Sequence, residues 1–135
     1  MSITYYQSNR ILDKDFGNTA YTTPSTLYFG LSTTSIGDDG TGETEPSGGA
    51  YARIALTNNK INWDTAASGS LTNLTVVQFV ESTASWGTIT HVFISDAITS
   101  GNMLYFGALS PSRQVQINTV VYFAVGAITV SIVNS

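Results

Sequence analysis

The sequence predicts an all-β protein, an antiparallel β-sandwich of jelly-roll-like character with one short helix at its N-terminus. Three observations carry this. Seven or eight short runs rich in Val, Ile, Thr, Tyr and Phe either alternate with polar residues or are apolar throughout. Clusters of Gly, Ser, Asn and Pro separate those runs, as turns do between the strands of a sandwich. Helical periodicity stops near Phe16. The 135 residues suit a single domain, 1–135, large enough to bury a core.

Taken in order, residues 2–16 have helical character. Ser2 is placed to cap the start, Ile11, Leu12 and Phe16 recur on one face, Asp13, Lys14 and Asp15 are expected to face solvent, and Gly17 stops the turn. Pro24 breaks any continuation and leads into "TLYFGLSTT", a strand from Thr26 to Thr34. Residues 35–49, with six glycines or prolines and four acids, read as a flexible loop. Strands resume at "YARIAL", then around Trp63, then in "LTNLTVVQFV", where Leu74, Val76 and Phe79 are core candidates. "TITHVFISD" and "MLYFGAL" follow, joined by "SGN"; "SPSRQ" then leads to "VQIN". A last strand runs from Val120 to Val133, with Ile128, Val130 and Ile132 alternating against Thr129 and Ser131. Strands such as "NMLYFGAL" are apolar on both faces, so the second face must meet another sheet or another subunit.

Composition narrows the function. Hydrophobic residues make up 42% of the chain and charged residues 10%, against about 25% charged in an ordinary domain. Ser and Thr fill about a quarter. Charge depletion marks the cores of interfaces, so assembly is favoured over an isolated neutral domain. The net charge is −4 and the fixed cations are Arg10, Lys14, Arg53, Lys60 and Arg113, too few and too scattered for a nucleic-acid partner. With no cysteine there are no disulfides or thiolate metal sites. The first residues lack the basic start and apolar run of a signal peptide, and no run is long enough to cross a membrane as a helix. Asn73 opens an "NLT" sequon that carries little weight without such a signal.

The search for chemistry returns little. His91 and Asp96 sit among many serines, but no nucleophile elbow is present, and a lone histidine in a strand fits packing or an interface better than a catalytic base. In "DDGTGE", glycines fall at two of the positions where an EF-hand needs ligands, so Asp38, Asp39 and Glu43 offer at most an adventitious cation site. The glycines of "SGGAYAR" lead into a strand where a phosphate loop needs a helix. The aromatics Tyr5, Tyr6, Tyr28, Tyr51, Trp63, Trp86, Tyr105 and Tyr122 suit either a sugar platform or, with more weight, strand packing and interfaces. The expectation is a protein with no catalytic residues, no cofactor and no required metal.

"GGAYARIAL" is the most informative stretch. Its glycines let the chain leave a loop and enter a strand, Tyr51 supplies packing area, and Arg53 a planar donor group for carbonyls or a carboxylate. Together with "TAYTTPSTLYFGLSTT" and "WGTITHVFISDAITSGNMLYFGALS" it resembles a family of small tailed-phage and prophage virion structural proteins. These are commonly described as tail-fibre or minor tail proteins, and similar chains serve as capsid decoration (cement) proteins. The resemblance covers nearly the whole chain; it departs at "GAITVSIVNS", where relatives carry a shorter acidic terminus. It implies a virion protein. The favoured expectation is a capsid cement protein on the head surface, a trimer clamping the major capsid protein. A tail-fibre or baseplate-associated protein is the alternative, and a glycan-binding or glycan-hydrolysing module comes third. Tyr51, Arg53, Tyr5, Tyr6 and Arg10 are the candidate interface residues, and the 35–49 loop and the helix the candidate contact segments.

Overall fold

The computed structural model describes residues 1–132, so Val133 and the end of the "GAITVSIVNS" stretch lie outside the described residues. Within them run β1 (Ser2–Ile3), α1 (Tyr5–Asp15), β2 (Thr26–Ser32), β3 (Ile54–Thr57), β4 (Ser70–Thr72), β5 (Val77–Gln78), β6 (Gly87–Ser95), β7 (Met103–Val115), β8 (Tyr122–Phe123) and β9 (Thr129–Ser131). One layer is an antiparallel sheet in the order β1-β7-β6-β2-β3. The other is made of two short antiparallel ladders, β4-β9 and β5-β8. The expected all-β sandwich with one short helix is the fold found.

The core lies between these layers. Phe29 pairs with Ile94 and Leu31 with Val92, so period-2 alternation puts all four on one face of the large sheet. They pack with Trp63, Val77, Phe79 and Ile128 from the second layer. Burying each such side chain contributes about 1.5–3 kcal/mol.

The second face of the large sheet is also covered, and by the chain itself. Phe93 pairs with Gly30 on one side and Phe106 on the other, and packs with Ile36 and Met103. Another sheet or another subunit is expected on this face; the cover is instead a loop segment of the same chain. The segment between β2 and β3 folds back and supplies Ile36 and Arg53, the guanidinium of Arg53 lying 5.0 Å from the centre of the Phe93 ring.

Four elements depart from expectation, each for a local reason. The helix begins at Tyr5, not Ser2, because Thr4 is the N-cap; it is fully buried, its hydroxyl donates to Met103 O at 2.7 Å and accepts from Gln7 N at 3.3 Å. Residues 2–3 pair with β7 instead. "LTNLTVVQFV" is split by Asn73, fully buried, whose side chain donates to Thr75 O and Ala124 O and accepts from Ile128 N. That hub turns Leu74 and Val76 outward (41% and 48% exposed) and brings Val77 and Phe79 inward; it also leaves the sequon without access. The expected turn at "SPSRQ" is a bulge inside β7. Ile89 pairs with Arg113 and His91 with Ala108, so Thr90 alone opposes residues 109–112, and Pro111 sits where a missing N–H costs no ladder bond. Lastly, the run from Val120 is two strands, divided by a turn in which Ala127 N bonds to Ala124 O.

Gly30 is the position where the second face tolerates no side chain. A Cβ there would lie 2.2 Å from Phe93 Cζ, and that ring is itself buried under Arg53. Gly30→Ala is expected to destabilise the protein by about 1–3 kcal/mol. Urea unfolding should show a lower midpoint with an unchanged slope.

Candidate interaction surface and pocket

The tyrosine and arginine of "GGAYARIAL" form a buried knot. Arg53 is 8% exposed and spends four N–H contacts within the chain: Nε and Nη2 on the two Glu45 oxygens, and Nη1 on Ala97 O and Ser100 O in the β6–β7 turn. The Tyr51 hydroxyl donates to Glu45 Oε1 at 2.7 Å and accepts from Leu31 N at 2.9 Å. The Tyr51 ring stacks on Phe79 and meets Trp86 edge-on. Burial and the Glu45 carboxylate push the Tyr51 hydroxyl far above the usual phenol range. Burial alone would raise the Glu45 carboxyl, but hydrogen bonds from Arg53 and Tyr51 and the charge of Arg53 hold it below its ordinary 4.5. Arg53 is therefore a structural joint, and its guanidinium is not exposed as a docking handle.

Helix α1 presents the opposite case. Its side toward the chain carries polar groups: Arg10 lies over the rings of Tyr6 and Tyr21 (5.2 and 4.2 Å) and donates to Thr22 O, while Lys14 Nζ lies 5.4 Å from the Tyr21 ring. Its apolar stripe, Tyr5, Leu12 and Phe16 at spacings of seven and four, points away. Phe16 is 83% exposed, and no residue of α1 is buried. The sequence groups Ile11 with Leu12 and Phe16; in the helix Ile11 is half-buried and falls outside the exposed stripe, which joins Tyr5 to Leu12 and Phe16 and points outward, unlike that of an ordinary surface helix. Of the expected interface residues, Tyr5 and Tyr6 are exposed and Arg10 is half-buried beside them.

Behind the helix lies a cavity of roughly 360 Å³, walled by Leu27, Trp63, Leu71 and Tyr105, with Gln7 from α1 and Asn58 and Asn59 from the turn after β3. Burial raises the Tyr105 hydroxyl above its ordinary value, Tyr21 adding to the effect and the nearby Gln7 amide opposing it. The sequence reading names Trp63 and Tyr105 only among eight aromatics and misses Gln7, Asn58 and Asn59. These come from two separate segments, and "TNNK" carries no signal beyond a turn.

The groups weighed for chemistry are dispersed. His91 Nδ1 is 2.8 Å from Thr90 Oγ1, and Asp96 is engaged by the N–H and side-chain amide of Asn102. Asp39 accepts from the N–H and hydroxyl of Thr41. Among the described residues no three His, Asp or Glu side chains converge, Asp38, Asp39 and Glu43 included.

A two-layer β-sandwich that spends its arginine inside and turns an apolar helix stripe outward has the make-up of a structural module. Residues 2–131 match the family model of the podophage GP4 fiber I protein gp80, almost the whole chain, and the protein belongs to that family of phage virion structural proteins. No curated protein matches the chain. The family places the protein in the virion; its description speaks of a fibre and gives no capsid-surface role.

The Glu45–Arg53 pair gives a pH signature. A carboxyl lowered by folding contributes stability in full above its ordinary 4.5, and that contribution is lost as the pH falls below 4.5 through the folded value. Glu45→Gln should cost about 2–4 kcal/mol at pH 7. Denaturant midpoints of the two proteins should converge as the pH is taken from 5 toward 3, while above pH 6 their separation stays constant.

Proposed function

We propose that the protein is a tail-fibre component that assembles with copies of itself, as a trimer, through the outward stripe of α1. The observation that carries this is the outward apolar stripe: Tyr5, Leu12 and Phe16 are exposed together on a chain with 10% charged residues, while Arg10 of the same helix is held over the Tyr21 ring. Exposing that stripe singly in water has no compensating contact, whereas closed cyclic symmetry buries three copies of it without leaving a free end to propagate. The fibre location rests on the family's description.

Leu12→Gln combined with Phe16→Ser tests the assembly. Neither side chain is buried, so the fold should change by less than about 0.5 kcal/mol. Light scattering behind gel filtration should give the wild type about three times the 14.4 kDa chain mass and the double variant a single chain. A wild type that stays monomeric at high concentration overturns the assembly. Immunogold labels on purified particles should mark the tail; labels spread over the head would overturn the fibre location and restore the cement reading.

A further inference from the structure

We propose that the groove between β8 and the far half of β7 receives an extended segment of a partner protein, which pairs with the free edge of β8 and sets a carboxylate against Arg113. The edge comes first. β8 belongs to a two-stranded ladder and has β5 as its one strand partner. Phe79 N donates to Val121 O at 2.9 Å, and Gln78 stands opposite Tyr122. Hydrogen-bonded and non-bonded pairs alternate along an antiparallel ladder, so the N–H and C=O of Tyr122 point away from β5. A cavity of roughly 340 Å³ borders that side: Val121, Tyr122 and Phe123 all line it, and no residue of β5 does. Its opposite wall is β7 between Leu109 and Val115, beyond the residues that pair with β1. An open strand edge beside an apolar trough is the arrangement that strand addition uses.

The chemistry of the occupant follows from the wall. Ile89 and Val115 form a buried apolar floor, with Leu109, Val121 and Phe123 half-buried around it, so alternate side chains of the segment must be apolar. Arg113 pairs with Ile89 and lies two residues from Val115, which places it on the core-facing side of the large sheet. Its side chain is nevertheless exposed, because the second layer stops short of it. The other four cations are all engaged within the chain: Arg10 and Lys14 against Tyr21, Arg53 with Glu45, and Lys60 with Asp64 O. Among the described residues Arg113 has no ion pair, hydrogen bond or ring partner, and no acid lines the groove. A guanidinium left without a partner at the mouth of an apolar groove matches a carboxylate in forked geometry. The occupant is thus extended, apolar at alternate positions and anionic. No residue of α1 lines the groove, so this inference stands or falls apart from assembly through that helix.

Peptides test the edge and the charge separately. The probe is an end-capped pentapeptide, Val-Thr-Val-Thr-Glu, whose first, third and fifth side chains share one face when it is extended. Its control carries Lys in place of Glu. In nitrogen–proton spectra of the full chain, the Glu peptide should shift the Tyr122 amide saturably, with a Kd on the order of 1 mM. The Lys peptide should bind about tenfold more weakly. Arg113→Gln, at an exposed position, should keep the fold and bring both peptides to the weaker value. Tyr122→Pro removes the outward N–H without removing a bond to β5, and should abolish binding, whereas Tyr122→Ala keeps that N–H and should still bind. If Tyr122→Pro does not fold, the Arg113→Gln comparison still decides. The proposal is overturned if about 10 mM Glu peptide, ten times the expected Kd, leaves the Tyr122 amide unmoved. It is equally overturned if the wild type binds the two peptides alike, if Arg113→Gln still prefers Glu, or if Tyr122→Ala loses binding. Arg113 would then be a charge that only blunts a free edge.

Discussion

The ion pair between Arg53 and Glu45 is the interaction on which most of this structure depends. A guanidinium that is 8% exposed has to be paired, because an unpaired buried charge costs several kcal/mol. Glu45 supplies the charge, and the carbonyls of Ala97 and Ser100 take the remaining donors in reach. One side chain thus fixes the segment after β2, the start of β3 and the β6–β7 turn in a single arrangement. Tyr51 adds the strand β2 through Leu31 N and the second layer through Phe79 and Trp86. The guanidinium also covers the ring of Phe93, so the same group that balances the charge closes the second face of the large sheet.

That closure relocates the apolar surface available for assembly. If the segment between β2 and β3 did not fold back, the Phe93 and Phe106 face would be the natural place for another subunit. With that face occupied by Ile36 and Arg53, exposed aromatic and aliphatic area is found on α1 instead. The low charge content is then split between two uses. Inside, among the described residues, the Glu45–Arg53 ion pair ties several segments at once; outside, the helix keeps Arg10 and Lys14 near Tyr21, and its exposed acids Asp13 and Asp15 flank the apolar stripe.

What could be read from the sequence follows from how local each signal is. β2 and β6 were legible because runs rich in β-branched, aromatic and aliphatic residues extend over seven and nine residues, and the start of β7 because "MLYFGAL" is bounded by a clear turn. Leu74 and Val76 were misassigned because the pleat was carried across Asn73, and a polar residue at a buried hub reads as a surface residue until its three partners are seen. The helix was legible, but its orientation was not, since periodicity gives a stripe and not a direction. Arg53 was recognised as a group in search of carbonyls or a carboxylate. That its carboxylate would be Glu45, eight residues upstream in the loop, depends on the chain turning back at Gly48 and Gly49, both at positive φ. The cavity lay furthest from view: Gln7, Asn58 and Trp63 meet only after β1, β3 and the second layer are in place.

The buried knot and the displayed helix are joined by a short physical path. From Glu45 the segment runs back through Thr44, whose carbonyl accepts from Thr33 N, and Gly42, whose carbonyl accepts from Thr34 Oγ1. Its tip bends at Gly40, which packs against Thr4 and Met103, and there Asp38 O accepts the N–H of Tyr5, the first residue of α1. A helix has unpaired N–H groups at its start, and this one gives the first to the loop and, through the Thr4 hydroxyl, a later one to its cap. The orientation of α1 is therefore held from the side of the arginine knot as well as from β7. Gln7 lies two residues beyond that attachment, so the same hydrogen bonds that aim the apolar stripe outward also place the amide in the wall of the cavity. Anchoring from a buried knot is what lets an 11-residue helix without a buried side chain hold its apolar stripe outward and form one wall of the cavity.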